Sequence, residues 1–346
     1  MSKIDRQVAF TGTKDVAGAL QIDAARLQDY LARNVPGFAG PLSAKQFKGG
    51  QSNPTYLLET PNAKYVLRRK PPGKLLPSAH AVDREFRAIS ALSAQGFPVA
   101  KPVIYCADDS VAGTAFYVMS FVEGRVFWNP EMPGSNPAER TAVYDAMNET
   151  LARLHSFDPG KIGLSDFGRG ENYVARQADR WSKQYRSSET QQIDEMERLI
   201  EWLPGHIPPS GPIRLVHGDY RLDNILFDST GDSLRCAVVD WQTPGHGNGV
   251  ADLAYFIGAG LLPPDRRAHE WELVELWVRG IEEYGHTVDR EWVDHHYRRE
   301  AMSGAIMAVV ASQIVGRTER GDEMFVAMAA RHALDRKSTR LNSSHT

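Results

Sequence analysis

The chain is poor in cysteine, has no long apolar run and carries no marked excess of either charge. Its two cysteines, Cys106 and Cys236, in 346 residues do not suggest a disulfide framework, and a reducing, cytoplasmic setting is the simpler expectation. The absence of a run of about 18 apolar residues argues against a membrane-spanning helix. The opening MSKIDRQVAF lacks the apolar centre of a secretion signal. With 40 Lys+Arg against 43 Asp+Glu the net charge is −3, so neither nucleic acid nor an anionic membrane is an expected partner. There is no internal repeat. No G-x-S-x-G elbow or H-E-x-x-H pair occurs, so hydrolase chemistry finds little support. His295-His296 reads as solvated helix surface.

What is present is the composition of a globular protein: 42% hydrophobic and 24% charged residues. The length allows one large domain or two lobes with their own cores. Leu27, Leu31 and Val35 form one stripe of an amphipathic helix. Short strand patterns follow in AKQFKGG, PTYLLET and AKYVLRR, punctuated by Gly49-Gly50 and Pro61-Asn62. AVDREFRAISAL is helical, with Val82, Phe86, Ile89 and Leu92 on one side. Two further strands are predicted in PVIYCAD and TAFYVMSFVE. Beyond Glu123-Gly124 helical patterns dominate, over 137–156, 171–203, 268–285 and 291–334. The only strand signals there are RLVHGD, NILFD and CAVVDW. The predicted organisation is a β-rich lobe with a leading helix over 1–122, then a larger helical lobe over 123–334. The tail DRKSTRLNSSHT (335–346) breaks the helical pattern and looks like translated library adapter, so natural sequence is expected to stop near Leu334.

One stretch concentrates polar chemistry between apolar arms: LVHGDYRLDNILFD, residues 215–228. Asp219 and Asn224 flank a loop, and Asp240 ends the strand CAVVD. The turn-forming DSTGDS between NILFD and CAVVD predicts a hairpin that brings Asn224 and Asp240 together. A carboxylate plus an amide oxygen suits Mg²⁺ carrying phosphates, and leaves Asp219 to accept a hydroxyl proton. Asp223 reads as a solvated or turn-capping residue, and His217 as a buried hydrogen-bonding residue that shapes the loop. Upstream, Gly49-Gly50, followed by Ser52 and Asn53, would let a backbone turn cover phosphates.

His217-Gly218-Asp219, Asn224 and Asp240 together resemble the catalytic apparatus of the aminoglycoside phosphotransferase and choline kinase-like family. The D-x-x-x-x-N spacing is shared with the wider kinase fold. The resemblance implies an α+β, bilobal, protein-kinase-like fold and an ATP- and Mg²⁺-dependent phosphotransferase acting on a small-molecule hydroxyl. It makes Asp219 the catalytic base and Asn224 and Asp240 the Mg²⁺ ligands. Arg221 stands where protein kinases carry a catalytic-loop lysine and would touch the transferring phosphate. KYVLRRK resembles the strand of the phosphate-binding lysine, with Arg68 in its place and Glu85 as its helix partner. FYVMSFVEG looks like the linker that holds adenine, read by main-chain groups of Ser120 and Val122 beneath Met119. PGHGNGVADLAYF resembles the G-x-x-D-L-A pattern, in which Asp252 caps a helix or braces the catalytic loop. The short interval from Asp240 to Asp252 leaves little room for a protein-substrate activation segment. YVLRRKPPGKLLPSAHAVDREFRAI is similar to the kinase-like domains related to those fused to acyl-CoA dehydrogenases. That likeness implies a hydroxyacyl-CoA acceptor, whose phosphates Lys70, Lys74 and Arg84 could meet. The alternatives are a non-catalytic nucleotide- or acyl-CoA-binding module and an aminoglycoside kinase, although no acidic pocket for a polycation can be located in the sequence.

Overall fold

The computed structural model describes residues 6–16, 18–49, 53–73, 80–168, 194–207, 211–230 and 234–301, with isolated positions between 175 and 192 and at 326. Helix α1 (Arg6–Phe10) and the short strand β1 (Thr13–Lys14) precede helix α2 (Ala24–Asn34). Asp23 caps α2 by accepting from the Arg26 amide. Strands β2 (Ser43–Phe47), β3 (Thr55–Glu59) and β4 (Lys64–Arg69) follow. Helix α3 (Val82–Ala94) is inserted before β5 (Pro102–Cys106), and a single helical turn, α4 (Asp109–Ala112), leads to β6 (Phe116–Ser120). The sheet order is β1-β2-β3-β4-β6-β5, antiparallel throughout. All five strands and both helices predicted for this half are present; α1, β1 and α4 are additional.

The period-two alternation of the strands sorts side chains onto two faces. Phe116 and Val118 of β6 join Leu27 and Leu31 of α2, with Tyr56, Leu58 and Leu67, in one core. Tyr117, between them, belongs to the opposite core with Val82, Ile89 and Leu92 of α3. Strand β4 alternates likewise. Arg69 falls on the α2 side, where its Nε donates to the Tyr56 hydroxyl. Arg68 falls on the α3 side and faces the second half of the chain.

That half contains α5 (Pro137–Ser156), α6 (Asp194–Trp202), β7 (Arg214–Val216), β8 (Ile225–Asp228), β9 (Arg235–Val238) and β10 (Gly245–Gly247). It continues with α7 (Gly249–Gly260), α8 (Pro263–Glu283) and α9 (Arg290–Glu300). A capping box of Asn136 and Glu139 with Pro137 in the first turn starts α5. Strands β8 and β9 form the predicted hairpin, opened by Asp228, which accepts from the Thr230 amide. Strand β7 pairs instead with β10, a strand too short and glycine-rich to show in the pattern. The predicted helices over 171–203 and 291–334 are described only in part, and the segment 335–346 lies outside the described residues. Among the described residues no helix is long and apolar enough to cross a membrane.

Segment 6–14 joins the two halves. Gln7 Nε2 donates to the Val126 carbonyl at 2.9 Å, and its Oε1 accepts from the Trp128 amide at 3.2 Å. Strand β1 pairs with β2 just before Gly49.

Candidate functional site

The loop after β7 is shaped from below by one buried carboxylate. Asp252, in the first turn of α7, accepts from the amides of His217 (2.6 Å) and Gly218 (2.9 Å). Its Oδ2 also lies 3.3 Å from His155 Nε2, and His155 in turn accepts from the Trp277 indole. Burial would raise the Asp252 carboxyl, but the contacts from His155 and His217 outweigh it and hold it below the usual range. Asp252 therefore braces the catalytic loop, while Asn248 caps α7. Gly218 has φ +83°, and a Cβ there would lie 2.6 Å from the Thr243 carbonyl oxygen, so only glycine fits.

His217 is fully buried. Its Nδ1 accepts from the Asp219 amide at 3.2 Å, which leaves the proton on Nε2, donated to the Val239 carbonyl at 3.0 Å. Both nitrogens are committed to the backbone, as a loop-shaping role requires.

Asp219 is surrounded by donors. Asn224 Nδ2 donates to both the main-chain oxygen and Oδ2 of Asp219, each at 2.9 Å. The Tyr255 hydroxyl donates to Oδ1 at 2.9 Å, and Arg221 Nε lies 3.1 Å from the same oxygen. The side chain keeps 32% exposure, so a ligand can reach it. Burial pushes its carboxyl up, Arg221 pulls it down, and Asp223 and Asp240 add to the rise; the balance is upward. Arg221 also stands 3.3 Å from Asp223, whose side chain is only 20% exposed. Asp223, expected to be solvated or turn-capping, is partly exposed and shares an arginine with Asp219. Arg221 Nε thus stands in ion-pair contact with two carboxylates.

Asn224 and Asp240 come together through the hairpin. Ile225 pairs with Val238, and the Val239 amide donates to the Asn224 carbonyl at 3.0 Å. Because the Asn224 Nδ2 is bound to Asp219, its side-chain oxygen is left as the donor atom for a cation. Asp240 sits at φ +62°, a left-handed conformation that costs a non-glycine residue about 1–3 kcal/mol. No group of three or more His, Cys, Asp or Glu able to hold a metal occurs among the described residues. An amide oxygen plus one carboxylate fits a hard cation that brings phosphate oxygens with it.

Arg68 links the sheet to this centre. Its Nη2 lies 2.6 Å from Asp240 Oδ1 and its Nε 2.9 Å from Glu85 Oε2. The pair expected between Arg68 and Glu85 is formed, and it is buried rather than superficial, with Glu85 side-chain exposure of 1%. Glu85 also accepts from Asn53 Nδ2 (2.6 Å) and the Tyr117 hydroxyl (2.9 Å). Burial raises its carboxyl more than Arg68 lowers it. For Asp240 the balance is reversed: burial is outweighed by Arg68, helped by His217, Gln242 and Arg221, and the carboxyl is held below its ordinary range. Asn53 therefore faces Glu85, and its Oδ1 contacts His80 Nδ1 at 2.7 Å.

Of the glycine-rich turn, Gly50 and Ser52 lie outside the described residues. Gly49 packs on Trp128 so closely that a Cβ would fall 2.4 Å from the ring, so this glycine admits an indole from beyond β6. In the linker, Met119 pairs with Val66 and packs on the main core. The Ser120 amide is bound to the Lys101 carbonyl at 2.8 Å, which leaves the Ser120 carbonyl for reading a base. Val122 follows two residues on, half-buried. Arg84, a candidate for coenzyme phosphates, is committed elsewhere: it donates to the Phe167 carbonyl at 2.9 Å and stacks on the Phe167 ring. Lys74 lies outside the described residues. His296 is buried against Trp292, not solvated. The residues that sequence reasoning missed are Tyr255, Tyr117 and His80. Tyr255 falls inside the D-L-A-Y stretch already singled out, but nothing in that pattern says which way its hydroxyl points.

Residues 43–295 match the Phosphotransferase enzyme family, APH. A chicken (Gallus gallus) protein named acyl-CoA dehydrogenase family member 11 is 47% identical over 249 residues, 70% of this chain and 32% of its own length. Mouse (Mus musculus) acyl-CoA dehydrogenase family member 10 is 41% identical over 277 residues, 79% of this chain and 26% of its own. This chain thus spans about a third or less of these relatives. A Ralstonia eutropha crystal structure named for the aminoglycoside phosphotransferases is 36% identical with a TM-score of 0.71, covering 92% of this chain and 98% of that one. Spectinomycin phosphotransferase, in complex with ADP and spectinomycin, shares the fold at 15% identity and a TM-score of 0.54, over 89% of this chain and 94% of that one. The match over most of its length, and the kinase-like α+β fold that goes with it, make this chain a member of the APH phosphotransferase family.

Proposed function

We propose that the chain transfers the γ-phosphoryl group of ATP to a hydroxyl group of a small molecule, of the hydroxyacyl-CoA class. One observation carries the phosphotransferase reading. A reachable carboxylate, Asp219, shares its electrostatic field with Asp240, and Asp240 is tied through Arg68 to the Glu85 of α3. These contacts support a reading in which base, cation ligands and phosphate-binding cation come from both halves of the chain. Asn224 and Asp240 would hold Mg²⁺, which when bound with ATP neutralises phosphate charge. Asp219 orients the acceptor hydroxyl and takes its proton as the new oxygen–phosphorus bond forms. The bond from the γ-phosphorus to the bridging oxygen breaks, and ADP leaves. Arg68, turned from Asp240 toward the phosphates, and Arg221 supply positive charge. The carbonyl of Ser120 and the main chain of Val122 read the adenine under Met119.

The acceptor class rests on the likeness to proteins named for acyl-CoA dehydrogenation. With Arg84 committed to Phe167, Lys70 is the candidate for a coenzyme phosphate among the described residues of Lys70, Lys74 and Arg84. A second reading, a nucleotide- or acyl-CoA-binding module without turnover, is favoured by arginine standing at position 68. The deciding experiment is an ATP-consumption screen with Mg²⁺ over hydroxyacyl-CoA thioesters, amino alcohols, sugars and aminoglycosides. Turnover confined to hydroxyacyl-CoA supports the proposal. Turnover on aminoglycosides alone overturns the acceptor, and tight nucleotide binding with no turnover selects the binding module.

A further inference from the structure

We propose that Tyr255 is a positioning residue for phosphoryl transfer: its hydroxyl locks the Asp219 carboxylate so that Oδ2 alone faces the acceptor. The inference rests on the phosphotransferase reading above and deepens it. A carboxylate oxygen offers two lone-pair directions. At Asp219 Oδ1 one is taken by the Tyr255 hydroxyl at 2.9 Å, and Arg221 Nε crowds the same oxygen as an ion-pair partner at 3.1 Å. Oδ2 accepts one hydrogen bond, from Asn224 Nδ2 at 2.9 Å, and retains one open direction. The acceptor hydroxyl is therefore taken by Oδ2, on the side of the carboxylate that Asn224 also touches. Asn224 is the proposed cation ligand, so the arrangement sets the base beside the metal-held phosphates.

The geometry explains why tyrosine serves here. Tyr255 stands on α7, the helix whose first turn carries Asp252, and Asp252 holds the loop on which Asp219 sits. One helix thus fixes the base's backbone with one residue and its carboxylate plane with another, three positions on. The tyrosine hydroxyl is held well above its ordinary range, first by burial and then by the adjacent Asp219 charge, so it remains a donor at every working pH. Without it, Oδ1 keeps only the ion-pair contact with Arg221, which Asp223 also attracts, and the plane of the carboxylate is held by the Asn224 bond to Oδ2 alone.

The test is Tyr255→Phe in the full chain, assayed with Mg²⁺, ATP and a hydroxyacyl-CoA thioester, with basal hydrolysis of ATP by water as a second arm. Expected are a fall in kcat of about 10- to 100-fold, as for a misplaced reacting group, and a KM for ATP within about twofold of the parent. A Phe variant with parental kcat overturns the role of Tyr255 alone. So does a kcat loss accompanied by equal losses of melting temperature and ATP affinity, which would mark a merely structural tyrosine. If the parent itself transfers phosphate to neither acceptor nor water, the underlying phosphotransferase reading fails, and Tyr255 with it.

Discussion

Replacing Arg68 by methionine isolates the electrostatics that couple the sheet to the catalytic centre. Glu85 is 1% exposed and lies 2.9 Å from Arg68 Nε. Its remaining partners, Asn53 and Tyr117, are neutral. Breaking a buried pair by removing one member leaves an uncompensated charge, at a cost of about 3–5 kcal/mol. The size of that cost should depend on pH. Burial already raises the Glu85 carboxyl above its unfolded value, and loss of Arg68 raises it further. A carboxyl raised on folding lowers stability above its unfolded pKa, and that penalty disappears as the group is protonated. Asp240 reinforces the trend from the other side. Arg68 holds it below its ordinary range, a contribution present above the unfolded pKa and lost as pH falls. The stability difference between parent and Arg68→Met should therefore be largest near pH 8 and shrink steadily toward pH 4. Urea melts at several pH values measure it. Adding Glu85→Gln should recover most of the loss at pH 8, since the buried charge is then gone. A single-variant cost below about 1 kcal/mol, or one that does not change with pH, would refute the reasoning and make the pair a surface contact in effect.

Asp219→Ala should abolish phosphoryl transfer while leaving ATP affinity, read by calorimetry, within a few fold of the parent; normal turnover would remove Asp219 as the base. Asp240→Ala should weaken Mg²⁺-ATP binding at least tenfold, and unchanged affinity would count against its place as a cation ligand. Gly218→Ala forces a Cβ to within 2.6 Å of the Thr243 carbonyl at φ +83°. It should destabilise the chain by about 1–3 kcal/mol and reduce kcat, measured by chemical denaturation and steady-state assay. Asp252→Asn removes the charge that accepts from the His217 and Gly218 amides. It should lower kcat more than it changes the KM for ATP, and equal effects on both would contradict a brace confined to the catalytic loop.

Local patterns settled much of this protein. Short runs rich in aromatic and branched residues, punctuated by glycine and proline, placed the strands around Tyr56, Val66 and Tyr117, because such side chains suit a pleated strand and turns must interrupt it. The turn-forming DSTGDS between two short apolar runs announced the hairpin that brings Asn224 toward Asp240, because turn residues and short strands act over a few positions. Arg68 and Glu85 were legible as partners only through a family likeness, since nothing within either segment refers to the other. Tertiary structure alone decided three things. It buried His296, which read as solvated, and set Asp223 against Arg221. It committed Arg84 to the Phe167 carbonyl instead of a ligand. It turned the hydroxyl of Tyr255 and the amide of Asn224 onto opposite oxygens of Asp219. Periodicity fixes which face of an element is covered, because covering is a property of the element. Which polar atom meets which depends on the distances between elements far apart in the chain, and those are set only when the two halves pack.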